Sequence, residues 1–366
     1  MKRVVHIITS LEGGGAQNML YKLLKYADQE EYHQEVISLS GGGPIGEKIR
    51  AEGYKVHELS LTLRDGFNSL IKAVSICKEF DVVNTWLYHA DFFGFLISKV
   101  ILKKKLIWNI RHSNLDKDAN KKLTLLIVKA NAFLSKYVDR ITYNSRKAYD
   151  SHLEVGYAGR SFEVIPNGFE LERFHFMAEE RDRLRNNLGI QNDEKVILTV
   201  GRWDIQKDYF TLLDSLSILK KKAKRFRMLM CGNRLDSSNH ELVRLIKQKG
   251  LSDHICLLGE RSDVPSLYSA CDIYVSSSLG ESFSNSIGEA MACEMHCVVT
   301  DVGDSKLIVG DSGISIRPQD PAALSDALKY LLDVVNGSKR NTLAREKVMR
   351  DYDIKKVVKM YENNYN

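Results

Sequence analysis

Strand-length apolar runs alternate with helix-length segments along the whole chain, and this alternation is the strongest constraint on its fold. The chain opens with an apolar run at residues 4–8, which three glycines and a segment with helical spacing of apolar side chains follow. Further strands are predicted at residues 34–39, 81–85, 106–110 and 140–144. Because a helix-length segment returns the chain after each strand, we expect the strands to pair in parallel.

The same alternation starts again after Pro166-Asn167-Gly168, a combination that is typical of turns. The second set of predicted strands covers residues 195–200, 227–231, 254–258, 272–276, 297–300 and 313–316. The sequence therefore predicts an α/β protein of two tandem Rossmann-like, doubly wound domains that face a central cleft. We expect the first domain at residues 1–168 and the second at 169–349, with a final helix at about 350–366 packing back on the first.

Composition limits the class of protein. Of 366 residues, 44% are apolar, 27% are charged and only 5 are proline, a profile that excludes a mainly disordered chain. The apolar runs are far shorter than the roughly 20 residues that cross a bilayer, and Glu12 and the glycines that follow it do not suit a secretory signal. The six cysteines lack a second zinc-ligand pair, so we expect buried thiols in a reducing, cytoplasmic setting.

Positive charge is concentrated in one segment. Residues 101–150 hold 12 basic and 4 acidic side chains, which favours an anionic partner. Within this segment, residues 122–137 have helical spacing, with Lys122, Lys129 and Lys136 in a stripe and apolar side chains on another side. Two interpretations stay open. The apolar side packs on the core and the lysines are solvated, or a face at 101–140, with Lys103, Lys104 and Lys105, rests on an anionic membrane.

Candidate binding residues follow two predicted strands of the second domain. Gly201 and Arg202 come directly after strand 195–200, and Lys207 follows in the same loop. A guanidinium and an ammonium at the carboxyl end of a strand suit phosphate oxygens, although an ordinary solvated loop has the same composition. In open parallel sheets, ligands bind beyond these carboxyl ends.

The loop after strand 272–276 turns into a helix that we expect Ser284 or Asn285 to cap. Amides at the start of that helix would hold a phosphate, which the helix dipole favours. Glu281 lies in the loop and Glu289 within the helix, where both carboxylates could accept hydrogen bonds from sugar hydroxyls. Two glutamates at this separation are common by chance, so a position on the surface of a helix, without a binding role, also stays open.

Taken together, these motifs resemble the GT-B glycosyltransferases, most closely the large retaining family four that builds bacterial surface polysaccharides. The resemblance covers nearly the whole chain: it includes GGGAQ at 13–17, VIPNGFELERF at 164–174 and SDVPSLYSACDIYVSSSLGESFSNSIGEAMA at 262–292. The last stretch is highly specific, whereas the glycine loop of Gly13, Gly14 and Gly15 is a weak motif by itself.

The resemblance implies roles for individual residues. Arg202 and Lys207 would bind the donor diphosphate, Glu289 the ribose hydroxyls and Glu281 the transferred sugar. His112, at the end of a first-domain strand, would lie near that sugar. Backbone amides of the segment after Glu281 would hold the distal phosphate. These donor-binding residues are Ser282, Phe283, Ser284, Asn285 and Ser286.

By the same resemblance, the enzyme would be a retaining hexosyl- or N-acetylhexosaminyltransferase that uses a nucleoside-diphosphate sugar and needs neither cofactor nor metal. Its acceptor would be a glycan or a polyprenyl-diphosphate-linked oligosaccharide.

The chain departs from the family pattern in three places. Ser282-Phe283-Ser284 replaces the usual Gly-x-Gly, Asp208 follows Lys207 where glycine or asparagine is common, and Gln17 stands where glutamate is frequent.

Parts of the sequence also fit four other functions. A nucleotide-sugar epimerase or hydrolase on the same fold would consume donor without an acceptor, and a non-catalytic sugar-nucleotide-binding subunit would bind donor only. A nicotinamide enzyme is disfavoured because Asn18 replaces the third glycine of its fingerprint and no acidic residue ends the second strand. A nucleic-acid binder is disfavoured because the basic segment carries no recognition motif.

Overall fold

The structure, a computed structural model, describes residues 1–60, 66–116, 120–191, 193–223, 225–335 and 339–366. Its contacts divide the chain into two compact units. The first unit comprises Met1–Gly168 together with Ile354–Asn366, and the second comprises Phe169–Asp353. The chain therefore passes between the units twice, after Gly168 and again after Asp353.

The first unit is built on a parallel sheet of seven strands in the order β3-β2-β1-β4-β5-β6-β7. Strand β1 lies near its centre, and five consecutive residues at the end of the strand are buried, as expected where helices cover both faces of a sheet. The strands are β1 (Lys2–Ile8), β2 (Tyr32–Ser38), β3 (Val56–Glu58), β4 (Val82–Trp86), β5 (Lys105–Ile110), β6 (Arg140–Tyr143) and β7 (Phe162–Val164).

Helices of the first unit bury their apolar sides on the two faces of this sheet and form two hydrophobic clusters. These helices are α1 (Gly15–Tyr26), α2 (Gly43–Ala51), α3 (Gly66–Lys78), α4 (Tyr88–Phe95), α5 (Lys122–Leu134) and α6 (Arg146–Val155), together with α15 (Ile354–Asn363) from the end of the chain. Helix α15 packs on α1, and its Tyr361 stacks on Trp86 with ring centroids 5.8 Å apart.

The second unit repeats the plan with a parallel sheet of six strands in the order β10-β9-β8-β11-β12-β13. The strands are β8 (Val196–Val200), β9 (Arg227–Cys231), β10 (Ile255–Gly259), β11 (Ile273–Ser276), β12 (His296–Thr300) and β13 (Ile314–Ile316). The helices are α7 (Ala178–Asn187), α8 (Tyr209–Lys222), α9 (His240–Gln248), α10 (Val264–Ala270), α11 (Asn285–Ala292), α12 (Ser305–Val309), α13 (Pro321–Val334) and α14 (Thr342–Asp351). In each sheet the first strand of the unit pairs with its second strand on one side and with its fourth on the other, so the strand order reverses there.

These two sheets confirm the predicted pair of Rossmann-like, doubly wound units. Every predicted strand is present, with ends that differ by one or two residues. Two strands were not predicted, β3 and β7, which have only three residues each and form the two edges of the first sheet. The six cysteines are free thiols, and all except the half-buried Cys256 are buried, as expected.

The predicted helix at 122–137 exists, but only part of its apolar side packs on the core, through Ile127 and Leu134. The α-helix runs to Leu134, and a tighter turn covers Ser135–Tyr137. Four large apolar side chains of this segment are exposed to solvent, while the buried side consists of Val128, Asn131, Ala132 and Ser135. The interpretation that the apolar stripe packs on the core is therefore wrong for Leu123, Leu126, Phe133 and Tyr137. Residues 117–119 of the basic segment lie outside the described residues.

Within the described parts of the chain, we find no helix whose length and hydropathy would let it span a bilayer.

Candidate functional site

The predicted binding residues of the second unit lie after β8 and β11, which are neighbours in its sheet. Strand β8 is the first strand of the unit, so the chain order reverses between β8 and β11. At such a reversal the two following loops diverge to opposite sides of the sheet and leave a crevice for a ligand. A ligand site is therefore expected at this edge of the sheet, where the loop at 201–208 and the loop at 277–284 lie.

Two aspartates shape the loop after β8. Asp204 accepts a hydrogen bond from the Gln206 amide at 2.9 Å and caps the short turn Ile205–Lys207. Asp208 accepts from the Thr211 amide at 3.1 Å and caps α8. Its φ of 46° lies in the left-handed region, which aspartate, asparagine and glycine adopt more readily than other residues. This backbone requirement explains why aspartate is acceptable where glycine or asparagine is common.

Lys207 and Glu281 meet at the carboxyl ends of β8 and β11. The Lys207 ammonium donates to the Glu281 Oε1, and the Ser278 hydroxyl donates to the same oxygen at 2.9 Å. Both side chains of the ion pair are largely shielded from solvent, with 22% of Lys207 and 14% of Glu281 exposed. A predicted cation and a predicted acid, 74 residues apart in the chain, are therefore in direct contact.

Backbone contacts hold the two loops together around this ion pair. The Ser277 hydroxyl donates to the Lys207 carbonyl at 2.9 Å and to the Asp208 carbonyl at 3.1 Å. The Leu279 amide donates to the Gln206 carbonyl at 2.8 Å. Because the loops share these bonds, the loop after β11 holds the backbone that carries Lys207.

Arg202 lies on the same loop as Lys207 but has a different environment. Its Nε donates to the Asp204 carboxylate at 2.8 Å, and 67% of its side chain is exposed. Burial acts to raise the pKa of Asp204, but hydrogen bonds from Arg202 and the Gln206 amide outweigh it and hold the pKa below its ordinary value. Asp204 is therefore ionised at neutral pH and orients the guanidinium, whose exposed surface is accessible to an anion.

Ser284 occupies the N-cap position of α11, as expected, but its hydroxyl caps no amide of the helix. It contacts the Ser286 hydroxyl at 3.3 Å, and the Tyr274 hydroxyl donates to Ser286 Oγ at 2.7 Å. Both serine hydroxyls therefore bond to other side chains. Ser284 does not cap α11, which leaves that role to a ligand oxygen. Ser282 lies in the loop before this position, and Asn285 is the first residue of α11.

Phe283 is a packing residue. Its ring is buried, stacks on Phe169 with centroids 6.2 Å apart, and meets the edge of Tyr352 at 5.6 Å. Its side chain is therefore committed to the core of the second unit, and only its backbone can contribute to a ligand site. The stacking fixes the loop at the point where it enters α11.

Glu289 is held from one side by Tyr268 of α10. The Tyr268 hydroxyl is 3.2 Å from the Glu289 Oε2 and 3.3 Å from the Ser286 carbonyl. Burial of the ring, reinforced by the charge of Glu289, raises the pKa of Tyr268 well above its ordinary value. The phenol therefore stays protonated and acts as a donor that orients the glutamate.

His112 and the glycine loop belong to the first unit, at the carboxyl ends of β5 and β1. The His112 side chain is exposed, and partial desolvation lowers the pKa of its imidazole below the ordinary value, although a backbone hydrogen bond with Asn114 opposes the effect. In the glycine loop, Gly14 has a φ of 153°, and a Cβ there would lie 2.7 Å from the Gln17 side chain. Gly13 and Gly15 flank this constrained position.

Comparison with known proteins identifies both units. Residues 13–173 match the family described as Glycosyltransferase Family 4, and residues 180–347 match Glycosyl transferases group 1. HepE of Anabaena, solved in complex with UDP, superposes with a TM-score of 0.88 at 20% identity over 100% of this chain and 99% of that one. The chain belongs to the glycosyltransferases of the GT-B fold.

Curated relatives of this glycosyltransferase are distant in sequence. EpsD of Bacillus subtilis (strain 168) is 26% identical over 231 residues, which cover 62% of this chain and 60% of that protein. The UDP-Gal:alpha-D-GlcNAc-diphosphoundecaprenol alpha-1,3-galactosyltransferase of Escherichia coli is 22% identical over 380 residues, covering 99% of this chain and 96% of that enzyme. The match with EpsD thus spans about 60% of the length of that relative.

Several residues of the glycosyltransferase site were not anticipated. Ser278, Tyr268 and Asp204 orient Glu281, Glu289 and Arg202, respectively. Asp204 stands two residues from Arg202 and could have been inferred from that spacing. Ser278 and Tyr268 lie inside the segment at 262–292 that carries the family resemblance, but only the fold shows which side chains they contact.

Among the residues that the structure describes, no group of three or more histidine, cysteine, aspartate or glutamate side chains is arranged to hold a metal ion. Metal independence stays a prediction.

Proposed function

We propose that the protein transfers a sugar, with retention of its anomeric configuration, from a nucleoside-diphosphate sugar to a glycan or polyprenyl-diphosphate-linked acceptor in bacterial surface polysaccharide synthesis. The observation that carries the proposal is the contact between Lys207 and Glu281 at the strand-order reversal, with Arg202 on the same loop. It joins a cation suited to phosphate with a carboxylate suited to sugar hydroxyls.

In this mechanism, Lys207 and Arg202 bind the diphosphate of the donor. The bond between the anomeric carbon and the diphosphate oxygen breaks, and negative charge grows on the leaving group as it does so. Cations that are already in place stabilise that charge without reorganising, which lowers the barrier. We further propose that these two cations neutralise the leaving group without a metal ion, so that a chelator leaves turnover unchanged.

The acceptor hydroxyl then bonds to the anomeric carbon on the face that the diphosphate leaves. Its proton passes to an oxygen of the departing phosphate, so the reaction needs no separate protein base. Glu281 binds hydroxyls of the transferred sugar, Glu289 those of the ribose, and the amides around Phe283–Ser286 bind the distal phosphate. His112 of the first unit would approach the sugar as a neutral imidazole.

The comparisons support a uridine nucleotide as the first donor to test. The Escherichia coli relative is named for transfer from UDP-galactose to a diphosphoundecaprenol-linked sugar, and HepE was solved with UDP. The transferred group is proposed to be a hexosyl or N-acetylhexosaminyl residue. The Escherichia coli name also supports the lipid-linked class of acceptor.

A thermal-shift panel of uridine, guanosine and adenosine diphosphate sugars tests donor binding. A ligand that binds the folded protein raises the free energy of unfolding by an amount that grows with the ratio of its concentration to its dissociation constant, so the melting temperature rises. We expect one nucleotide class to stabilise the wild type and to stabilise Lys207→Ala much less. The exposed Lys221→Ala in α8 serves as the matched control and should respond like the wild type.

The product then separates transfer from other reactions. Transfer with retention gives a new glycosidic bond with the donor's anomeric configuration, which NMR of the product reads directly. Consumption of donor without an acceptor would indicate an epimerase or hydrolase, and binding without consumption would indicate a non-catalytic subunit. The absence of a thermal shift with every nucleotide sugar would contradict the proposal.

A further inference from the structure

The outward side of α5 and the turn that follows it carries an unusual concentration of exposed apolar side chains. We call Leu123, Leu126, Phe133 and Tyr137 the α5 patch. Their side chains are 63%, 64%, 65% and 46% exposed, respectively. On the opposite side of the same segment, Val128 and Ala132 pack into the first unit. A helix of a globular protein ordinarily places its apolar stripe inward, so this outward stripe calls for a partner.

Lysines border the α5 patch along one edge. Lys122, Lys129 and Lys136 repeat every seven residues, which places them on one line along the helix, and all three are exposed. The Lys136 ammonium lies 4.2 Å from the Phe133 ring centroid and 5.1 Å from that of Tyr137. The positive stripe and the apolar patch are therefore parts of one surface.

This surface continues into a groove beside Tyr137. The groove has a volume of about 460 Å³, and its lining includes Tyr137, Val100, Lys103 and Arg160. The Val100 side chain is 63% exposed. Lys103 and Arg160 are also exposed, so two cations and several apolar side chains line the groove. The groove thus repeats the combination of apolar surface and positive charge seen on α5.

The neighbouring lysines do not contribute to the same extent. Lys104 donates to the carbonyls of Lys78 and Phe80, and Lys105 donates to the carbonyl of Asn366. Lys99 pairs with Asp139. These contacts tie the three ammonium groups to the fold of the first unit, so the positive charge available to a partner comes mainly from the α5 lysines, Lys103 and Arg160.

We propose that the α5 patch and its bordering cations dock the protein on the surface of an anionic lipid bilayer. Leu126, Phe133 and Tyr137 enter the boundary between headgroups and acyl chains, and the lysines contact the anionic headgroups. An exposed apolar stripe bordered by lysines is the composition of helices that lie in this boundary. Charge complementarity selects an anionic bilayer over an uncharged apolar partner, because the cations exposed beside the patch are the three α5 lysines, Lys103 and Arg160.

Sedimentation of the full chain with lipid vesicles tests the docking surface. The vesicles consist of phosphatidylcholine alone or of phosphatidylcholine mixed with phosphatidylglycerol, at low and high salt. We expect the wild type to bind the mixed vesicles and to lose most of this binding at high salt. The readout does not involve sugar transfer, so it is independent of the proposed function.

One variant removes the charge of the surface. Replacing Lys122, Lys129 and Lys136 by glutamine should weaken binding to the mixed vesicles by on the order of 100-fold at low salt, since each lysine near an anionic surface contributes about fivefold. The control replaces three exposed cations of the second unit, Lys221, Arg244 and Lys247, by glutamine. It removes the same charge and should bind like the wild type.

A second variant removes the apolar part. Leu126→Ser with Phe133→Ser should weaken binding at least tenfold while leaving the melting temperature unchanged, because both side chains are exposed. Leu343→Ser, at a leucine of the second unit that is 66% exposed, is its control.

Three results would overturn the proposal. They are a wild type that does not bind the mixed vesicles at low salt, variants of the surface that bind like the wild type, and controls that lose as much binding as the surface variants. A concentration-dependent dimer in sedimentation velocity that Leu126→Ser with Phe133→Ser abolishes would assign the α5 patch to contacts between two copies of the chain instead.

Discussion

At the scale of single residues, the proposed donor site depends most on Lys207. Its ammonium is positioned by the loops after β8 and β11 and by Glu281, so it is in place before charge develops on a leaving diphosphate. Lys207→Ala should lower turnover by about 100-fold, the scale of losing one preorganised stabiliser. Steady-state kinetics checks this, with Lys221→Ala as the control and a thermal melt to verify folding. Near-normal turnover in a folded Lys207→Ala would contradict the role of this lysine.

The proposed role of His112 predicts that activity depends on pH. Desolvation lowers the pKa of its imidazole, so the ring is neutral at neutral pH and becomes protonated only below the ordinary histidine value of about 6.5. If the neutral ring is needed near the donor sugar, activity should fall as pH decreases through this lowered pKa. A pH–rate profile should show an acidic limb that His112→Gln lacks. An identical acidic limb in the variant would assign the titration to another group.

The residue types at the site followed from the sequence, but their contacts did not. The loops after two strands identified Lys207 and Glu281, because the carboxyl ends of parallel strands collect ligand-binding side chains. Their ion pair joins positions 74 residues apart and depends on β8 and β11 being neighbours, which no local pattern reveals. Likewise, the orientation of Glu289 by Tyr268 depends on how α10 and α11 pack.

At the scale of secondary-structure elements, a buried ion-pair cluster ties α7 to the second sheet. Asp272, the residue before β11, accepts a hydrogen bond at Oδ1 from Arg181 at 2.7 Å. Its Oδ2 accepts from the Val196 amide at 2.8 Å and lies 3.6 Å from the Arg185 guanidinium. Only 2% of the aspartate side chain is exposed.

Asp272→Asn would leave buried guanidinium groups without a full counter-charge and should lower the free energy of unfolding by about 3–5 kcal/mol. The control is Asp326→Asn, which breaks the exposed pair with Lys222 and should change it by less than about 1 kcal/mol. Chemical denaturation of the wild type and of the two variants measures both changes in the free energy of unfolding. Equal small losses would show that the buried cluster adds little to stability.

The predictability of each element depended on its burial. Central strands such as β1 and β4 are each buried over five consecutive residues because both of their faces are covered, and they were predicted readily. Strands β3 and β7 lie at the edges, have three residues each and contain no fully buried residue, so no apolar run marks them. The helical spacing of α5 was predicted, but its exposed apolar side was not, since spacing shows which residues share a face and not what covers that face.

At the scale of the whole molecule, two buried histidines make the first unit sensitive to acid. Burial lowers the pKa of both His6 and His152 to about 4. In its neutral form, His6 donates from Nε2 to Gln34 at 2.8 Å while Nδ1 accepts from Trp86 at 3.2 Å. A proton on Nδ1 would remove that acceptor, and His152 would lose its bond from the Tyr88 hydroxyl in the same way.

The sign of the effect follows from proton binding. Between the ordinary histidine pKa of 6.5 and the folded value of about 4, the unfolded chain binds more protons than the folded one, so stability decreases as pH falls through this range. From pH 7 to pH 5, each histidine should reduce the unfolding free energy by about 2 kcal/mol. Calorimetry at the two pH values measures the loss. His6→Asn should be less stable at pH 7 but should lose less on acidification, and an unchanged loss would contradict the assignment to His6.

The proposed activity requires a nucleotide sugar to bind at the strand-order reversal of the second unit. A crystal structure of the protein with a nucleoside diphosphate of the class selected by the thermal-shift panel tests this most directly. The account predicts a phosphate oxygen within hydrogen-bonding distance of the Lys207 ammonium and the Arg202 guanidinium, with the ribose beside Glu289. A nucleotide bound elsewhere, with the Lys207–Glu281 ion pair undisturbed and remote from every phosphate, would contradict it.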